Sequence, residues 1–110
     1  MKLTQGNVTK FVTAPKITKW LEANPEMMFF DEEMVICSCV VAKYAQKIFN
    51  NKDVCFNGQD VKIYQDNDDI VLTCSENVIN LASNADKVSD FKPTSSKDIL
   101  SRLSQKHGVH

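Results

Sequence analysis

The sequence predicts a single α+β domain over residues 1–110: a small, mainly antiparallel sheet with about four helices packed on it. Three observations lead there. Apolar residues recur at helical spacing in separate blocks. Between them lie short β-branched runs bounded by polar turn residues. Asn57-Gly58 is a strong tight-hairpin signal, and the connections are too short for the crossovers a parallel sheet needs.

Residues 7–13 (NVTKFVT) suit a helical face or a strand equally well. Thr13-Ala14-Pro15 reads as a helix start, with threonine as N-cap and proline tolerated in the first turn. Ile17, Trp20 and Leu21 then form an i, i+3, i+4 triplet, and Asn24-Pro25 ends the helix. Residues 27–30 (MMFF) and 34–37 (MVIC) flank Asp31, Glu32 and Glu33 as a hairpin with a polar tip. The competing reading is one long helix over 31–50 with Asp31 as N-cap; the all-round apolar character of 34–41 favours the hairpin.

The most apolar stretch is 34–51 (MVICSCVVAKYAQKIFNN), and the other elements are expected to cover it. A helix over 38–50 starts on Ser38 as N-cap. It turns Val41, Ala45, Ile48 and Phe49 inward, with Lys43, Gln46 and Lys47 on the other side. Residues 54–56 and 61–64 form the Asn-Gly hairpin. Residues 70–74 add a strand with Ile70, Leu72 and Cys74 on one face. Ser75-Glu76 opens a short helix carrying Val78, Ile79 and Ala82. Residues 84–92 read as a polar loop tacked down by Val88 and Phe91. Ser95-Ser-Lys-Asp98 is a capping box that starts a last helix with Ile99, Leu100 and Leu103 on one face, ending near Gly108. The helix, cysteine-bearing hairpin and helix over residues 16–50 resemble in layout small proteins of phages and bacteria; that resemblance implies no activity.

Composition narrows the function classes. The apolar and charged shares, 43% and 25%, are ordinary for a soluble globular chain. The net charge of −1 and the single arginine, Arg102, beside twelve lysines disfavour specific nucleic-acid binding, which relies on bidentate arginine. No apolar run approaches the roughly 20 residues that span a bilayer, and the amino terminus lacks the apolar core of a signal peptide. The expectation is a cytoplasmic protein, in its own cell or in a host cell, with all four cysteines reduced. Frequent lysine and asparagine fit AT-rich coding DNA, as in a phage or other mobile element.

Four residue groups are candidates for chemistry. Cys37, Cys39, Cys55 and Cys74 lack the knuckle spacing of a zinc site and read as small apolar core residues, so no metal or other cofactor is expected. A thiolate at Cys39, stabilised by a helix N-terminus, would need a base from His107 or His110 in the carboxy-terminal tail. Asp60, Asp66, Asp68 and Asp69 lack calcium-loop spacing and read as a solvated turn. The remaining group is Trp20, Met27, Met28, Phe29, Phe30 and Asp31. On a strand, one member of each Met and Phe pair faces outward, which makes an interaction patch with an acidic rim. The sequence therefore favours a non-catalytic protein-interaction module, binding a partner protein or a second copy. The alternative is a small enzyme with a cysteine thiolate.

Overall fold

The computed structural model describes residues 12–31, 37–66 and 69–108, with side chains described through Ser104. Among the described residues, four helices and two small antiparallel sheets make up an α+β architecture. The elements are α1 (Ala14–Ala23), β1 (Met28–Phe29), α2 (Val40–Phe49), β2 (Val54–Phe56), β3 (Asp60–Ile63), β4 (Ile70–Thr73), α3 (Glu76–Ser89), β5 (Thr94–Ser95) and α4 (Ser96–Gly108).

The first helix forms as its residues dictate. Thr13 caps it by accepting from the Lys16 N–H at 3.4 Å, Ile17 and Leu21 are fully buried, and Asn24 ends it. Residues 7–11 and 34–36 lie outside the described residues, so neither the NVTKFVT choice nor most of the MVIC strand is decided here.

β1 has a distant partner. Met28 and Phe29 pair antiparallel with Ser95 and Thr94, some 65 residues downstream in the chain. The Ser96 N–H then donates to Met27 O at 2.8 Å and the Lys97 N–H to Pro25 O at 3.1 Å, which docks the start of α4 on the same segment. Half of the expected capping box is present: Ser95 Oγ accepts from the Asp98 N–H.

α2 is the centre of the packing. It contacts α1, α3, β2 and β3. Val40, Val41, Ala42, Tyr44, Ala45 and Phe49 are buried. Two expectations fail here. The N-cap is Cys39, not Ser38, whose carbonyl instead accepts from the Phe30 N–H at 2.9 Å. Ile48 is exposed, because the buried arc is centred on Val41, Tyr44 and Ala45 and leaves it at the margin.

The three-stranded sheet has the order β2-β3-β4, with Val54 opposite Ile63, Phe56 opposite Val61 and Val61 opposite Leu72. Asn57 shapes the first turn, its Oδ1 accepting from the Gln59 and Asp60 N–H groups. Gly58 follows at φ +102°, a backbone region open to glycine and strained for other residues. Leu72 and Cys74 are buried and Ile70 half-buried, while Val71 and Thr73 face out, as alternation requires.

α3 is longer than expected. The polar stretch 84–89 continues the helix to Ser89 because the inward positions Ala82, Ala85 and Ser89 are small and carry no apolar signal of their own. Asp90 ends the helix in the left-handed conformation. Phe91, expected to tack the chain down, is 54% exposed and touches Phe30 only edge-on. Val88 is half-buried, and its carbonyl accepts from Arg102 of α4.

Asp86 lies half-buried on α3, and burial pushes its carboxyl up to about 6 from the ordinary 3.8. The folded state thus holds this proton more tightly than the unfolded chain. The stability it contributes is full below about pH 4 and is lost as the pH rises through about 6. Asp86→Asn should raise stability at pH 7.5 by about 1 kcal/mol, a figure reduced for solvent screening. The gain should fade as the pH falls from 6 to 4. Denaturant melts across that range check both the sign and the window.

Candidate functional site

The six residues of the sequence-derived patch do not share one surface. Phe29 is fully buried and Phe30 is 3% exposed, so the Phe pair offers no outward member. The reason is local: Phe30 adopts φ +58°, which breaks strand alternation and lets both rings turn into the core. The Met pair behaves as expected, with Met28 exposed and Met27 half-buried. Trp20 is half-buried, held edge-on against Phe29 (5.6 Å between centroids) and Tyr44 (5.3 Å).

Trp20 and Met27 instead line an open groove of about 680 Å³ whose other wall is α2 and the turn after it. Lys43, Gln46 and Lys47 of α2 line this groove, as do Asn50 and Lys52 in the turn after it. Cys37, on the approach to α2, forms part of the lining. The polar side of α2 therefore lines the groove.

Two of its polar residues hold the fold as well. Lys43 Nζ donates to Met28 O at 2.7 Å and to Asp31 Oδ1 at 2.6 Å, fastening β1 to α2. Its ammonium also lies 5.7 Å from the centre of the Phe29 ring. Gln46 Nε2 donates to Cys37 O at 2.8 Å and to Val54 O at 3.0 Å, tying the chain before α2 to the strand after it. Lys47 and Lys52 differ. Among the described residues the ion pairs are Lys43–Asp31, Lys92–Asp90 and Lys97–Glu26, so both of these exposed ammonium groups face the groove without a described carboxylate.

No protein-family model, curated protein or solved structure matches this chain. What the groove can do thus follows from its own chemistry: Trp20 and Met27 share its lining with Lys47 and Lys52, neither of which is ion-paired among the described residues.

The cysteines divide into two classes. Cys37 and Cys55 are joined in a disulfide with Cα atoms 4.6 Å apart, which corrects the expectation of four reduced thiols. The 18-residue separation hid the pairing, because it takes the whole of α2 and the Gln46 clamp to fold Cys37 back against β2. Cys39 and Cys74 are the buried filler expected, 5% and 7% exposed, and burial pushes both thiols up to about 11. For Cys39 the Asp86 charge adds to the rise.

The other groups stay apart. Asp60 belongs to β3, Asp69 accepts from the Gln65 N–H, and Asp68 lies outside the described residues. So do His110 and the side chain of His107. Among the described residues no three His, Cys, Asp or Glu side chains gather as metal ligands, and no helix is long and apolar enough to cross a membrane.

Proposed function

We propose that this chain is a non-catalytic protein-interaction module whose groove captures an acidic segment of a partner protein. The observation that carries the reading is the pairing of Trp20 and Met27 with Lys47 and Lys52 across one open groove. An apolar side chain on the partner is desolvated against the indole and thioether, and flanking carboxylates meet the ammonium groups of Lys47 and Lys52. Two lysines without arginine, in a chain of net charge −1, suit carboxylates on a peptide better than the phosphate run of a nucleic acid. The lysine- and asparagine-rich composition supports placing such a module in a phage or another mobile element.

The rival reading, a thiolate enzyme at Cys39, is chemically disfavoured. A thiol pushed up to about 11 and 5% exposed is protonated and shielded at neutral pH.

Calorimetric titration with a short peptide alternating Asp or Glu with Leu tests the proposal. Lys47→Glu with Lys52→Glu should weaken binding about tenfold or more, since each reversed surface charge costs on the order of 1 kcal/mol. The melting temperature should stay within a few degrees because both side chains are exposed. Equal binding of a single-stranded oligonucleotide would overturn the choice of a protein partner. So would a dimer that dissociates in the double variant, which would assign the groove to a second copy.

A further inference from the structure

The groove lined by Lys47 and Lys52 also contains one end of the disulfide. Cys37 lines it together with Lys43 and Lys47, whereas Cys55, on β2 opposite Lys62 of β3, is not part of the lining. Both cysteines are half-buried, so the bridge is not sealed in the core as Cys39 and Cys74 are. The two chain segments do not depend on the sulfurs to stay together. Gln46 Nε2 grips Cys37 O at 2.8 Å and Val54 O, one residue before Cys55, at 3.0 Å.

We propose that Cys37 is a thiol–disulfide exchange site for a small carboxylate-bearing thiol, approached through the groove and steered by Lys47 and Lys52. The incoming thiolate sulfur attacks Cys37 Sγ and forms the new S–S bond. The Cys37–Cys55 bond breaks, and its electron pair leaves on Cys55 Sγ, which takes up the proton shed by the incoming thiol. A second molecule of the same thiol can attack the mixed disulfide and release Cys37. Two small thiols are then oxidised to one small disulfide as the protein gains two electrons and two protons.

Three features favour this direction. Attack requires an open sulfur, and Cys37 is the one that lines the groove. The leaving thiolate forms on Cys55, whose cross-strand partner Lys62 places a cationic residue on the same sheet face, its ammonium 4.9 Å from the centre of the Tyr64 ring. With Gln46 holding both backbones, the freed sulfurs remain adjacent and the bridge can re-form. The site stands independently of partner capture, since it needs the groove only as an access path.

The test uses the folded, oxidised full chain with glutathione and, separately, with cysteamine, whose charge is opposite. The reaction is quenched with an alkylating reagent and the products are mapped by mass spectrometry. The expected products are a glutathione adduct on Cys37 and an alkyl label on Cys55, with Cys39 and Cys74 unmodified. The ratio of glutathione to cysteamine rates should fall about tenfold in the Lys47→Glu, Lys52→Glu variant, the lower end of electrostatic steering. Raised salt should reduce the ratio for the unaltered chain as well. An adduct that forms first on Cys55, exchange only in denaturant, or a rate ratio indifferent to the two lysines would each overturn the proposal.

Discussion

Val41→Asp should leave no cooperatively folded protein at 25 °C. Val41 is fully buried in the first turn of α2, the helix that contacts α1, α3, β2 and β3. Its neighbours Val40, Ala42 and Ala45 are 0–1% exposed, so a carboxylate placed there is shut off from solvent. Stranding an unpaired charge costs several kcal/mol, against a typical total stability of about 5–15 kcal/mol. The aspartate escapes part of that cost by remaining protonated, yet the carboxylic acid still loses its hydrogen bonds to water. Far-UV circular dichroism during a thermal melt is the check. A near-native melting temperature would mean that α2 does not occupy the centre of the molecule.

Phe29→Ala should destabilise the fold by about 3–5 kcal/mol, the usual range for deleting a buried aromatic ring. At about 4–8 °C per kcal/mol for a domain near 100 residues, the melting temperature falls by at least about 12 °C. The ring is fully buried, packs edge-on against Trp20 and has the Lys43 ammonium 5.7 Å from its centre. It also lies on β1, whose pairing with β5 fixes the start of α4. Met28→Ala, one residue earlier and exposed, should change stability by no more than about 0.5 kcal/mol. The contrast between these neighbours tests the register of β1 directly. Similar effects for both would show the register to be wrong.

The elements that were legible in the sequence are those specified locally. Thr13 and Asn24 bound α1, Asn57-Gly58 turns β2 into β3, and alternation at Leu72, Val71 and Cys74 sets the faces of β4. What was not legible depends on distant chain. β1 pairs with β5, far downstream, so the two residues nearest in sequence gave no sign of it. The length of α3 rests on alanine and serine, which fit a close helix contact without an apolar signature. Phe30 escapes alternation through a backbone conformation that a phenylalanine does not announce.

The candidate site was half legible for the same reason. Trp20 and Met27 were found by their apolar surface, but the lysine wall opposite them looked like an ordinary solvated helix face. Charge alone does not separate Lys47, which faces the groove without a described partner, from Lys43, which is tied to Asp31. Nor could spacing bring Cys37 to Cys55, since neither belongs to a paired-cysteine motif.

Trp20 is the sole tryptophan of the chain and lines the groove, so its fluorescence reports occupancy without any label. The decisive measurement is a titration of Trp20 emission with the acidic Asp/Glu–Leu peptide and with its counterpart in which every acid is replaced by lysine. The expected result is a saturable spectral shift with the acidic peptide alone, weakened by salt and largely lost in the Lys47→Glu, Lys52→Glu variant. An unchanged spectrum at saturating peptide, or the same shift with both peptides, would contradict capture of an acidic partner in this groove.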